Sequence, residues 1–130
     1  MKKRPPIKTP QSNESKQWTS DEYAKLYNSM KWRTYRKNLE NSRLMQDHNT
    51  ARILYQDNTY ITLCEYNTYI KSMKALCVHC IDNDIRRLTP ADVADHITPI
   101  RLGGAMYDDK NIQYLCHTCH NTKTRKEQHL

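Results

Sequence analysis

A small α+β domain is predicted, in which a strand, a turn, a second strand and a helix lie between two cysteine pairs and a mainly helical extension precedes them. Three observations carry this. Cys77/Cys80 and Cys116/Cys119 form two C-x-x-C pairs that bracket one segment of chain. That segment holds two short apolar runs on either side of "RLGGAMYDDK", which uses both glycines of the sequence, Gly103 and Gly104. Ahead of it, from Tyr23 onward, apolar residues recur at the helical spacing i, i+3, i+4, i+7.

The totals agree with one domain. At 130 residues and 37% hydrophobic content the chain cannot build a deep core unaided, so a further cross-link is expected. Lys plus Arg outnumber Asp plus Glu by 21 to 14, Tyr occurs nine times and Phe not at all, which gives a basic surface with polar-tipped aromatics. Such a surface suits an anionic polymer, and serves solubility alone equally well. No run reaches the ~18 apolar residues of a membrane span, and the basic start "MKKRPPIKTPQ" has no apolar segment after it. A cytoplasmic protein with no membrane partner is therefore expected. In that setting four of the five cysteines, arranged in pairs, read as metal ligands rather than disulfides.

Taken in order, residues 1–17 carry three of the five prolines and no apolar periodicity, and read as a disordered basic arm. Thr19 and Glu22 then have the spacing of a capping box. Tyr23, Leu26, Tyr27 and Met30 form an apolar stripe that Trp32, Tyr35 and Leu39 continue, so one amphipathic helix is expected to about residue 40. Lys31, Arg33, Arg36 and Lys37 crowd its later turns, either to track a DNA backbone or as a wet face with cations suited to a helix C-terminus. Residues 41–74 fit neither the helical nor the strand period, and their structure stays open. A solitary cysteine there, Cys64, reads as a small buried hydrophobe. Residues 18–73 are thus the mainly helical extension, a candidate DNA-contacting surface, and 74–130 the functional domain. Within the latter, 93–97 and 111–115 read as strands, and the basic stretch from 118 onward as a helix.

Two residues between paired cysteines let both thiolates reach one ion from a tight turn, and two such turns complete a tetrahedral four-sulfur site suited to structural Zn²⁺. Residues 81–115 separate the pairs, well beyond the roughly 15–20 of a simple zinc ribbon, so a structured unit must fit inside the loop. A redox dithiol is disfavoured because neither pair opens the helix of a βαβ unit. His79 and His117, inside the pairs, are expected to be bystanders beside four thiolates.

A second constellation lies within that frame. Asp95 and His120 offer one carboxylate oxygen and one imidazole nitrogen, enough to hold a divalent ion while leaving positions for water and a phosphate oxygen. His96, next to Asp95 in a strand, points to the other side and is free to take a proton from an attacking water. Lys123 follows His120 by three on the expected helix, where a cation grips a substrate phosphate, and Arg125 is a second candidate for that phosphate. Each residue alone has a structural reading; as a spaced set they favour phosphodiester hydrolysis.

"CVHC", "VADHITPIRLGG" and "DDKNIQYLCHTCHNTK" together resemble the HNH endonucleases, of the four-cysteine zinc type found in tailed phages, over about residues 74–127. The resemblance implies a ββα-metal (His-Me finger) core that hydrolyses DNA with one divalent ion, Mg²⁺, Mn²⁺ or Ni²⁺. On that pattern Asp95 and His120 are the catalytic metal ligands, His96 the general base, and Asn111 the central Asn that braces the loop holding the base. It also implies phage encoding and a packaging terminase as a partner. About thirty more residues lie between the Trp32 helix and Cys77 than in compact phage members, which bears on substrate preference more than on chemistry. The competing class is a zinc-stabilised DNA-binding or packaging adaptor without turnover.

Overall fold

Thr19 opens the first helix of a computed structural model that describes residues 18–57, 61–83 and 86–130; the expected arm at 1–17 lies outside them. The capping box closes in both directions, with Thr19 Oγ1 accepting from the Glu22 N–H at 3.2 Å and the Glu22 carboxylate accepting from the Thr19 N–H at 3.0 Å. The expected single helix is in fact two. α1 (Ser20–Asn28) ends at Ser29, whose backbone is extended (φ −67°, ψ 149°), and α2 (Met30–Asp57) begins there. Ser29 serves both ends: its hydroxyl donates to the Leu26 carbonyl at 2.7 Å and accepts from the Trp32 N–H at 3.1 Å. A short hydroxyl that bonds nearby backbone groups competes with helix continuation, which is why the break falls on a serine. The break also turns Met30 out of the apolar stripe, leaving it 69% exposed.

α2 runs on through much of the segment that periodicity left open, and α3 (Leu63–Ser72) follows, capped by the Thr62 hydroxyl on the Glu65 N–H at 3.1 Å. Cys64 is exposed rather than buried. It sits about 140° around α3 from Tyr69, the residue that the helix buries. α4 (Val78–Asp82) is a short turn at the first cysteine pair. β1 (Val93–His96) and β2 (Ile112–Leu115) pair antiparallel, with Val93 opposite Leu115 and His96 opposite Ile112, and α5 (His117–Glu127) completes the unit. The fold is therefore a small α+β one, with a helical N-terminal region and a ββα unit at the cysteine cluster.

A two-stranded sheet has too little surface to make a core of its own. The helices supply the rest. One cluster joins Trp32 and Leu39 of α2 to Ala75, Ala91, Ile100, Met106, Ile112 and Tyr114; a second joins Ala51, Ile61 and Tyr69 to Leu76 and Leu88. Polar side chains dock α2 as well. Glu40 and Asp47 accept from the N–H groups of Ala75 and Leu76 at 2.8 and 3.0 Å, and Arg43 donates to the carbonyls of Ile112 and Asp109 at 2.8 and 2.7 Å. The backbone entering the first cysteine pair is thus held by carboxylates of the extension. No helix among the described residues is long and apolar enough to cross a membrane.

Candidate active site

Cys77 and Cys116 occupy the same place in two similar knuckles. Each is the residue before a helix, α4 or α5, and its partner three positions on lies within that helix. All four sulfurs fall within 4.8 Å of one another. Bonds of about 2.3 Å from a tetrahedral zinc imply S···S edges of about 3.8 Å; Cys80 Sγ lies 3.8 Å from Cys116 Sγ and 3.7 Å from Cys119 Sγ. Those separations are far beyond a disulfide bond of about 2.05 Å. Burial pushes the Cys80 thiol up to about 11, which favours the neutral thiol at that position until a cation binds. The four cysteines fit a zinc ion, and His79 and His117 are not among the clustered ligands.

This clamp fixes α5 against β1. Cys119, His120, Lys123 and Glu127 share one face of α5, a spread of about 100° at 3.6 residues per turn. Opposite that face lies Asp95, 7% exposed, which accepts from Gln113 Nε2 at 3.0 Å. His120 Nε2 stands 3.6 Å from Asp95 Oδ1. Two ligand atoms that each bond an ion at about 2.1 Å can be up to about 4.2 Å apart, so the pair fits a shared divalent cation.

Lys123 sits differently from the phosphate grip expected of it. Its ammonium lies 3.1 Å from Asp95 Oδ2, pairs with the Glu127 carboxylate, and donates to the His96 carbonyl at 3.0 Å. A buried carboxylate demands a countercharge, and Lys123 supplies it. Arg125 is not brought to the site at all: two positions beyond Lys123 is about 200° around the helix, and its exposed side chain lines a depression with Thr118, Asn121 and Thr124 on the far side of α5.

His96 faces the other way from Asp95, toward the N-terminal helices. Its ring stacks on Trp32 with centroids 4.9 Å apart at 26°, and only 4% of the residue is exposed. One ring nitrogen lies 3.0 Å from the Met106 carbonyl and the other 3.1 Å from the Tyr27 hydroxyl. A carbonyl only accepts, so the nitrogen facing Met106 carries hydrogen and the neutral ring presents its lone pair to Tyr27. Burial holds the His96 pKa below the ordinary 6.5, with Lys123 adding to the effect. Burial also raises the pKa of the Tyr27 phenol, and Asp95 and Glu127 push the same way.

The side-chain hydrogen bonds of Asn111 go to the loop rather than to Asp95 or His120. Its Oδ1 accepts from the Thr98 N–H at 2.8 Å, and its Nδ2 donates to the carbonyls of Thr98 and Ala105 at 3.1 and 2.9 Å. It ties together the loop that leads to Met106. Gly104 lies in the crook of that loop, where an added Cβ would come 1.8 Å from the Thr98 oxygen.

Asp95, His120 and Lys123 are therefore assembled at one point, His96 stands on the opposite side of the same strand, and Asn111 acts through the loop. Glu127, Tyr27, Gln113 and Trp32 were not singled out as site residues from sequence. Glu127 was legible, being four positions beyond Lys123 on one helix face; nothing local in the sequence links Tyr27 or Trp32 to His96. The family model for HNH endonuclease matches residues 76–126, from the first cysteine knuckle through most of α5. The likeness to HNH endonucleases holds over that span, and it carries nuclease activity and metal binding as the family's properties. Comparison with curated proteins and with solved structures returned no significant match.

Proposed function

We propose that the chain is a metal-dependent endonuclease that hydrolyses DNA phosphodiester bonds, with zinc on Cys77, Cys80, Cys116 and Cys119 as scaffold and Mg²⁺, Mn²⁺ or Ni²⁺ on Asp95 and His120 as catalyst. The observation that carries it is the 3.6 Å approach of His120 Nε2 to Asp95 Oδ1 on the strand that also bears His96. A divalent ion bound there supplies charge stabilisation at the phosphate and the leaving oxygen. The residues supply the rest. His96 is the general base, kept neutral by burial and fixed in one tautomer by the Met106 carbonyl, so that its remaining lone pair takes the proton of the attacking water. Asn111 holds the loop that carries that carbonyl. Lys123 balances the Asp95 charge; with a divalent ion on Asp95 and His120, its ammonium would be available to the substrate phosphate.

A second reading is a zinc-stabilised DNA-binding or packaging adaptor without turnover. Two contacts favour it: Lys123 already neutralises Asp95, and Tyr27 already occupies the His96 lone pair. Plasmid cleavage with and without EDTA and with each added ion decides between them, with His96→Ala as control. Cleavage that needs a divalent ion and fails in the variant supports the enzyme; DNA binding without cleavage under every ion supports the adaptor. A phage origin, a cytoplasmic place of action and a terminase partner belong to the same proposal, and the phage-type resemblance is their support. Co-purification with a terminase subunit tests the last.

A further inference from the structure

Among the described residues, the one side chain hydrogen-bonded to a ring nitrogen of His96 is that of Tyr27. The nitrogen facing the Met106 carbonyl at 3.0 Å carries a hydrogen and cannot accept another. A proton taken from water must therefore arrive at the nitrogen that faces the Tyr27 hydroxyl at 3.1 Å. His96 is 4% exposed and Tyr27 38%, so the Tyr27 side chain reaches solvent where the imidazole does not. It is held there. Its ring sits edge-on to Trp32 with centroids 5.7 Å apart, and two residues later the Ser29 joint bonds α1 to α2. A phenolic hydroxyl donates and accepts at the same time. Placed in this way, it has the geometry to pass a proton to the imidazole.

Building on the base role proposed for His96, we infer that Tyr27 is a further catalytic residue, which relays the proton of the attacking water to His96. As the water oxygen attacks phosphorus, its O–H bond breaks and the Tyr27 oxygen gains that proton. The Tyr27 O–H bond breaks in concert, and its proton forms the new N–H bond on His96. The electron pair freed on the water oxygen forms the P–O bond, and the leaving oxygen departs with the pair of the old one. Tyr27 ends as it began and His96 ends as imidazolium. The helical extension then contributes an atom to the reaction, beyond supporting the fold.

The test uses the full chain and single-turnover cleavage of plasmid DNA with Mn²⁺. Tyr27→Phe keeps the ring and removes the hydroxyl. The expected result is a rate about 100-fold lower with unchanged DNA affinity and zinc content. In a His96→Ala background, adding Tyr27→Phe should cost nothing more, because the hydroxyl acts only through the imidazole. A rate for Tyr27→Phe that is unchanged or higher overturns the relay, the higher rate meaning that the hydroxyl obstructs the base; so does a full additional loss in the double variant. A readout without turnover accompanies these: in the ion-free protein, the ¹⁵N resonance of the unprotonated His96 nitrogen should move toward its free value in Tyr27→Phe, and an unmoved resonance also overturns the relay. Undiminished cleavage by His96→Ala defeats the base assignment itself, while the ¹⁵N shift still reports on the hydrogen bond, so the two failures are distinguishable.

Discussion

Replacing Asn111 by Asp changes one amide nitrogen into an oxygen at nearly constant shape, and the structure dictates what is lost. The bond from the Thr98 N–H at 2.8 Å survives, because a carboxylate oxygen accepts it. The two donations, to Thr98 O at 3.1 Å and Ala105 O at 2.9 Å, become oxygen-to-oxygen contacts. Each lost bond is worth about 1 kcal/mol, and the part-buried Ala105 carbonyl left without a donor adds up to about another. Loop opening should thus become easier by about 2–3 kcal/mol. The penalty is local, so the best reporter is the Gly104 amide, which donates to the Pro99 carbonyl at 3.0 Å within the loop. Its hydrogen exchange should accelerate about 30- to 150-fold, at tenfold per 1.4 kcal/mol. Cleavage should fall with it, since the loop carries the Met106 carbonyl that orients His96, while zinc stays bound. Gly104 exchange as slow as in the parent protein would refute the bracing role.

The same loop should reject Gly104→Ala: a Cβ placed 1.8 Å from the Thr98 oxygen meets backbone, so activity should be lost with zinc retained, and a crystal structure with the loop unmoved would contradict this. Metal analysis should find about one zinc per chain, and Cys77→Ser should lose zinc and cooperative unfolding together; a folded, zinc-free variant counts against the scaffold. Because burial lowers the His96 pKa, the base stays neutral as pH falls through 6.5, and a bound cation pushes the same way. Cleavage should therefore decline only below that value, and a rate profile half-lost at 6.5 or above would refute it. Folded His96 resists protonation that the unfolded chain accepts, so the stability it contributes is present above about 6.5 and drains away as pH drops toward the lower folded value. Met73 ends α3 in the left-handed region (φ 56°) and is 58% exposed, so Met73→Gly should raise stability by about 0.5–1 kcal/mol in urea unfolding; a loss would contradict the assigned strain.

The ββα unit was legible because its signals are chemical and local. Cysteine spacing located the clamp, the paired glycines located the turn, and the boundaries of β1, β2 and α5 fall within one residue of the expected ones. α2 beyond residue 40 was not legible, for a reason its inner face makes plain. Trp32, Leu39, Glu40, Arg43, Asp47 and Ala51 lie within an arc of about 120°, but three of the six are charged. A hydropathy period registers burial of apolar groups, whereas this face docks by side-chain bonds to backbone N–H and carbonyl groups. α3 did carry a readable signal, Thr62 three positions before Glu65, although Glu65 gives its carboxylate to the distant Leu88 N–H at 2.6 Å rather than closing the box. The Ser29 break escaped because an apolar stripe continued across it.

These missed features explain one another. A ββα unit with a two-stranded sheet exposes both sides of β1, and its two site residues point in opposite directions. The zinc clamp brings α5 to the Asp95 side only. Something else must cover the His96 side, or the imidazole would be bathed in water and free to rotate. α2 brings Trp32 there, and the break at Ser29 lets α1 turn so that Tyr27 meets the ring; a helix continuing straight through Ser29 would carry Tyr27 along the axis of α2 instead. On the base role proposed for His96, the long extension is a part of the site rather than an appendage to it. Glu40, Asp47 and Glu65 each hold backbone between the first cysteine pair and its flanks, so the segment that positions the base also positions the zinc knuckle. Weakening α2 docking should accordingly disturb the metal clamp and the base together. Arg43→Met, which removes two bonds to the Asp109–Ile112 backbone while keeping the length of the side chain, separates this coupling from a purely local effect: loss of zinc affinity alongside cleavage fits it, and loss of cleavage alone does not.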